Sequence, residues 1–167
     1  MRALRAVFLF AAAAVAQWWW SSHLALWGLA PQLLLVLTVA VAARSGANPG
    51  MAYGFLWGLF LDLLRAQLFG GNAFTLMLAG YATGTLRRQI DLSDFLSLCA
   101  VVFLATWGYF LCYGLLGAVF AKSFLWPGWS AFLCDPLYNC LLAPLAARIA
   151  AAMVSECPGG QSTYTVL

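Results

Sequence analysis

Residues 50–62 read GMAYGFLWGLFLD, an apolar run in which a small or acidic residue recurs at every fourth position. The members of this row are Gly50, Gly54, Gly58 and Asp62. Residues four apart share one face of a helix, and glycines on that face let a second helix approach closely in lipid. A shorter row follows at Gly80 and Gly84. The stretch therefore predicts membrane helices that pack through small residues.

The composition of the whole chain also indicates a membrane protein. Of its 167 residues, 65% are hydrophobic and 8% are charged, whereas about a quarter of the residues in a soluble domain carry a charge. Only helices and closed barrels satisfy their backbone hydrogen bonds inside a bilayer. Barrel strands alternate in polarity, but residues 33–37 (LLLVL) and 100–104 (AVVFL) are continuously apolar. We therefore predict an all-α membrane protein.

Turn-forming residues divide the chain into six predicted spans. The clearest turns are SGANPG at 45–50, GGN at 70–72 and WPG at 126–128, which combine glycine, proline and asparagine. We predict a single six-span transmembrane domain over residues 1–154 and a short cytoplasmic tail over 155–167. The six spans cover residues 4–20, 31–43, 50–64, 72–86, 95–120 and 131–154.

Two features of this division leave alternatives open. The second, third and fourth spans are shorter than the about 20 residues that a perpendicular helix needs. Flanking polar residues extend these spans, or the spans thin the bilayer locally. Alternatively, the second and third form a re-entrant pair that meets at residues 45–49. At the N-terminus, Arg2, Arg5 and the small residues 14–16 (AVA) also match a cleavable signal peptide, although a multispan protein needs none.

Basic residues and tryptophans predict the orientation. Cytoplasmic loops carry an excess of Lys and Arg, and with the N-terminus inside only Arg65 and Lys122 fall on the outer side. Tryptophans 18–20, 27, 126 and 129 cluster at the predicted outer interface, where indole rings are favoured. Both termini are therefore predicted to be cytoplasmic. The arginines on the inner side are Arg2, Arg5, Arg44, Arg87, Arg88 and Arg148.

Polar residues inside the predicted spans are the candidates for a functional site, because an intramembrane charge is costly. Asp62 is expected either to form a helix-end salt bridge with Arg65, three residues on, or to contact a partner. Asp135 poses the same choice, with Lys122 as its candidate partner. Asn139 lies one turn from Asp135 and is expected to hydrogen-bond across helices. An aspartyl peptidase pair of Asp62 and Asp135 is disfavoured, since each acid has a basic neighbour that holds it ionised.

The remaining composition offers no catalytic or metal-binding pattern. The chain has a single histidine, His23, and five cysteines without a CxxC spacing, so metalloprotease and zinc motifs are absent from the sequence. No glycine-rich phosphate loop with its lysine is present. We predict no catalytic residue, no metal and no cofactor, and a net charge of +3 is too small to indicate nucleic-acid binding.

The glycine rows allow two interpretations. Gly50, Gly54 and Gly58 either pack within the chain against the span that carries Gly80 and Gly84, or they receive a helix of another protein.

From the second span onward the sequence resembles the MreD family of bacterial rod shape-determining membrane proteins. The likeness extends from residue 31 to residue 144, and at Gly71-Asn72 the family more often has Leu-His. The motifs that carry it are Pro31-Gln32-Leu33-Leu34-Leu35, Gly50-x-x-x-Gly54-Phe55-x-x-Gly58-Leu59-x-x-Asp62-Leu63-Leu64, Phe69-Gly70-Gly71-Asn72-Ala73-Phe74, Gly80-Tyr81-x-x-Gly84-x-Leu86-Arg87-Arg88 and Tyr138-Asn139-x-Leu141-Leu142-Ala143-Pro144.

This resemblance implies a six-helix transmembrane bundle similar to the substrate-binding subunits of energy-coupling-factor transporters. It implies a non-enzymatic role in cell-wall elongation at the bacterial inner membrane. The implied partners are the scaffold MreC, RodA with a penicillin-binding transpeptidase, indirectly MreB, and membrane lipids. The runner-up function is a vitamin-capturing transporter subunit of the same fold, which would need a polar pocket lined by residues such as Asn72, Tyr113, Asp135 and Asn139.

Overall fold

A computed structural model of the chain describes residues 32–64, 68–90, 94–120 and 128–154, together with residues 15, 122 and 126. Within these residues the regular secondary structure consists of five helices. Apart from residue 15, the first predicted span lies outside the described residues, as do the signal-peptide alternative and the predicted tail. The helices are α1 (Leu33–Ser45), α2 (Ala47–Leu64), α3 (Gly71–Leu86), α4 (Phe95–Phe120) and α5 (Trp129–Val154).

The bounds of these helices follow the last five predicted spans closely. Helix α4 has the predicted bounds, and the largest difference is the start of α2 at Ala47, where the sequence predicted residue 50. Pro49 therefore lies in the first turn of α2, where its missing N–H would have had no helical acceptor. Helix α5 continues through Pro136 and Pro144.

A single residue, Gly46, joins α1 to α2. Its φ of 95° lies in the left-handed region that favours glycine, and its N–H donates to the carbonyl of Ala42 at 2.9 Å. The six-residue turn predicted at 45–50 is therefore much tighter, because the helical conformation resumes before the proline.

Helix α1 lies at the centre of the described bundle. Ten of its 13 residues are buried, and it contacts each of the other four described helices. A helix that is apolar on every side is typically a buried one. At about 1.5 Å per residue α1 is about 20 Å long, so its burial within protein satisfies the condition that a short or re-entrant membrane helix must meet.

Helices α4 and α5 carry the exposed apolar surface. Both are long and apolar enough to cross a membrane. Leucines recur on α5 at every fourth position and are between 54% and 72% exposed, which is the pattern of a lipid-facing surface rather than a wet one. The fold is therefore that of an all-α membrane protein. The exposed leucines of α5 are Leu133, Leu137, Leu141 and Leu145.

Candidate functional site

The glycine row of α2 lies against α3 of the same chain. A Cβ atom added at Gly54 would lie less than 3.0 Å from the carbonyl of Leu76, and one added at Gly58 would lie less than 3.0 Å from Cα of Ala73. The interface between α2 and α3 is the largest between any two of the described helices. The backbones approach this closely because glycine has no side chain to separate them.

The glycines of α3 make the same kind of close backbone contact with α2. A Cβ added at Gly80 would meet the backbone carbonyl of Gly50, and one added at Gly84 would meet the backbone of Ala47. The two rows therefore face each other within the chain. A partner helix could occupy the groove of Gly50, Gly54 and Gly58 only by displacing α3, so the structure places this row in helix packing and not on an open docking surface.

Asp62 caps the N-terminus of α3. Its Oδ1 accepts hydrogen bonds from the backbone N–H and the side-chain amide of Asn72, at 3.1 and 2.9 Å, and its Oδ2 accepts one from the N–H of Ala73 at 2.9 Å. The residue before α3 is Gly70, which has no side chain to cap its own helix. A carboxylate at a helix N-terminus satisfies free N–H groups and interacts favourably with the helix dipole.

The capping role of Asp62 was not among the roles expected from the sequence. Asp62 was expected either in a salt bridge at the outer interface or in contact with a partner; it is 1% exposed, and all the hydrogen bonds that described residues donate to it come from α3. Arg65, its expected partner, lies outside the described residues. Asn72 was not predicted to contact Asp62, although an asparagine next to a helix start after two glycines is a recognisable sequence signal.

Asp62 and Asn72 form a capping centre whose hydrogen bonds extend to α4. The hydroxyl of Tyr109 donates to Oδ1 of Asn72, and the ring of Tyr109 stacks on Tyr113 with centroids 5.8 Å apart. Asp62, Asn72 and Tyr109 thus join α2, α3 and α4. Sequence reasoning missed Tyr109, because a tyrosine within a continuous apolar run carries no local sign of its partner.

Asn139 forms a second interhelical centre. Its Oδ1 accepts a hydrogen bond from the N–H of Gln32 at 3.0 Å, and its Nδ2 donates to Oγ1 of Thr106 at 3.1 Å. The Thr106 hydroxyl donates in turn to the carbonyl of Val102 at 2.8 Å. Asn139 is fully buried, and it joins α5 to α4 and to the start of α1.

Asp135 lies one turn before Asn139 on the buried face of α5. Its Oδ1 has no hydrogen-bond partner among the described residues, and no described residue, Lys122 included, forms an ion pair with it. The candidate ion pair with Lys122 is therefore not formed among the described residues, and the alternative of a partner contact stays a prediction. Both oxygens of Asp62 are occupied by α3 and no hydrogen bond joins Asp62 to Asp135, so the two acids do not form the contacting pair that a shared proton requires.

The described residues contain no cluster of three His, Cys, Asp or Glu side chains that would hold a metal ion. Their polar side chains instead connect helices to one another. Together with the exposed apolar faces and the paired glycine rows, these centres define an all-helical membrane protein whose buried polar groups hold the bundle together.

Comparison with known families specifies this class further. Residues 1–146 match the family model described as rod shape-determining protein MreD. Since the match covers most of the chain, the chain belongs to the MreD family. No curated protein and no solved structure matches it significantly. Membership gives the protein a role in rod-shape determination, and the family is not a known enzyme family.

Proposed function

We propose that this chain is a non-enzymatic membrane subunit of the bacterial cell-wall elongation complex, which binds MreC and the wall-synthesis enzymes. The observation that carries the proposal is the match of residues 1–146 to the MreD family. In this proposal RodA and its penicillin-binding transpeptidase supply the chemistry, and MreB is an indirect partner. The chain acts as a membrane-embedded binding partner.

The use of the buried polar groups supports a non-enzymatic role. Asp62, Asn72 and Asn139 each form hydrogen bonds to another helix. A catalytic acid or nucleophile must instead face the position of a substrate. Asp135 is the remaining intramembrane acid of the described residues, and we propose that it is not catalytic.

The same proposal includes the complete architecture and topology. We propose a six-span domain over residues 1–154, similar to the substrate-binding subunits of energy-coupling-factor transporters, with a tail over 155–167. It lies in the inner membrane with both termini in the cytoplasm. The arginine distribution supports this orientation, and the helix bounds of α1 to α5 agree with the last five of the six predicted spans.

The packing of the glycine rows leaves no room for a partner helix at these glycines. Because α3 covers Gly50, Gly54 and Gly58, we propose that MreC binds another part of the chain. The structure offers no comparable support for the transporter alternative. Asn72 and Asn139 are engaged between helices, and the cavity between α3 and α4 is lined by neither Asp135 nor Asn139.

A complementation experiment tests the function. A tagged chain is expressed in a rod-shaped host that lacks its own MreD, and cell shape and recovery of MreC after affinity purification are both measured. We expect rod shape and MreC recovery for the natural chain and for Asp135→Asn. Gly54→Leu, which disrupts the α2–α3 interface, should abolish both.

Two results would contradict the proposal. One is a folded natural chain that restores rod shape but never recovers MreC, which would refute the binding role. The other is a folded Asp135→Asn variant without any shape activity, which would indicate chemistry at that carboxylate. A stoichiometric water-soluble small molecule in the purified protein, as opposed to a phospholipid, would favour the transporter alternative.

A further inference from the structure

An elongated groove lies between α3 and α4, on a side of the bundle away from the glycine rows. Its volume is about 410 Å³. One wall extends on α3 from Thr75 to Leu86 and the other on α4 from Val101 to Cys112, each about 17 Å long at 1.5 Å per residue. Helices α3 and α4 share a much smaller interface than α2 and α3, so no described helix fills the space between them along this length.

Three of the polar side chains that line the groove form hydrogen bonds within the protein. The hydroxyl of Thr75 donates to the carbonyl of Gly71 at 2.8 Å, and that of Thr85 donates to the carbonyl of Ala82 at 2.8 Å. The Tyr109 hydroxyl donates to Asn72. Methyl and alkyl groups therefore form most of the groove surface, so its occupant must be apolar along its length.

The middle of the groove is lined by residues with small side chains or none. A Cβ added at Gly108 would meet nothing within 4 Å, and Ala79, Ala82 and Ala105 supply only methyl groups. A flexible hydrocarbon chain can follow such a smooth apolar surface without any polar partner along its length.

One end of the groove is basic. Gln89 lies at this end, next to the exposed Arg88, and Arg87 donates a hydrogen bond to the carbonyl of Arg44. Among the described residues this end of the bundle carries four arginines and one carboxylate, Asp94. The arginines are Arg44, Arg87, Arg88 and Arg148. A negative headgroup at this end would therefore gain favourable electrostatic interactions.

We propose that the α3–α4 groove is a binding site for one acyl chain of an anionic phospholipid. The chain lies along Ala82, Ala105 and Gly108, and the headgroup phosphate contacts Arg88 and Gln89. The site does not depend on the proposed function, because it follows from the groove alone. It would provide the bundle with a bound lipid that is distinct from the lipids around its outer faces.

Photocrosslinking tests the acyl site. The full chain is placed in phosphatidylcholine nanodiscs that contain a trace of phosphatidylglycerol with a diazirine in its acyl chain, and crosslinked peptides are mapped. We expect labels concentrated at residues 78–82 and 104–112. Gly108→Leu fills the groove and should lower this labelling at least fivefold. Ala118→Leu, which introduces the same side chain at an exposed position of the same helix, should leave it unchanged, with similar melting temperatures for both variants.

Headgroup competition tests the anionic preference. Unlabelled phosphatidylglycerol should displace the probe at a concentration at least fivefold lower than unlabelled phosphatidylcholine. Arg88→Gln should remove this preference, whereas Arg148→Gln, the same change at another exposed arginine of this end, should retain it. Equal competition by both lipids in the natural chain would overturn the anionic assignment.

Three outcomes would overturn the site itself. Labelling spread evenly over the exposed leucines of α5 would mean that the probe reports surrounding lipid only. Groove labelling that persists in folded Gly108→Leu would mean the same. A partner transmembrane helix that crosslinks to Gly108-adjacent positions in native membranes, with no lipid label there, would show that a protein occupies the groove.

Discussion

Oδ2 of Asp62 accepts a hydrogen bond from the backbone N–H of Ala73 at 2.9 Å, so the last turn of α2 caps the first turn of α3. The same pair of helices is joined at Gly58, where an added Cβ would meet the backbone of Ala73. The glycine row allows the two backbones to approach, and the carboxylate that continues this row then reaches the free N–H groups of the neighbouring helix. Packing and capping therefore depend on each other.

Removal of the Asp62 carboxylate should destabilise the bundle. Asp62→Ala leaves three buried donors of Asn72 and Ala73 without an acceptor, at about 1–3 kcal/mol each. We expect a loss of at least about 3 kcal/mol in the free energy of unfolding, measured by thermal or denaturant unfolding in detergent. Asp62→Asn keeps one acceptor oxygen and should lose less.

Asp94 provides the matched control for that series. It precedes α4 and is exposed, and asparagine and aspartate are about equally good at a helix start. Asp94→Asn should change stability by less than about 0.5 kcal/mol. Equal effects of Asp62→Asn and Asp94→Asn would contradict the capping role of Asp62.

Replacement by alanine should have opposite effects on protein stability at two glycines that both lie within helices. At Gly54 the new Cβ would lie less than 3.0 Å from the backbone of Leu76, and such overpacking typically costs about 1–3 kcal/mol. At Gly108 a Cβ meets nothing, and alanine favours a helix by about 1 kcal/mol over glycine. Melting temperatures should fall for Gly54→Ala and stay equal or rise for Gly108→Ala. A tolerated Gly54→Ala would show that α2 and α3 do not pack through this row.

The contact between Asn139 and Thr106 should be measurable as a coupling energy. A double-mutant cycle of Asn139→Ala and Thr106→Val removes the hydrogen bond from each side. Interhelical hydrogen bonds in membrane proteins contribute about 0.6 kcal/mol on average in such cycles. We expect a coupling of about that size, determined from unfolding of all four proteins. Additive effects within error would mean that the two side chains do not interact.

The topology can be tested by labelling single cysteines in a variant without the natural ones. Cysteines at Ser22 and Ser123 should react with an impermeant maleimide added outside intact cells. A cysteine at Ser162 should react only after the membrane is permeabilised. This expectation follows from the arginine and tryptophan distribution. Labelling of position 162 from the outside would reject the model with both termini in the cytoplasm.

The sequence by itself determined that the chain is embedded in lipid and that its spans are helices. Continuous apolar runs and few charges specify lipid-embedded helices because lipid cannot satisfy free backbone groups. Turn residues marked the helix ends, and α4 has the predicted bounds. The four-residue period of the glycines identified a close-packing face, since that period places them on one side of a helix. These properties depend on neighbouring residues, so they can be read locally.

Only the tertiary structure decided which groups meet. The neighbours of α1 could not be predicted, because a helix that is apolar on every side gives no direction to its packing. The acceptor for the N–H of Gln32 lies 107 residues away on Asn139. For Asp62 the sequence suggested Arg65 as the nearest charge, but the described structure places it against the N–H groups of α3. A buried polar group is satisfied by whichever donors the packing of the helices brings to it, and that packing is a property of the whole bundle.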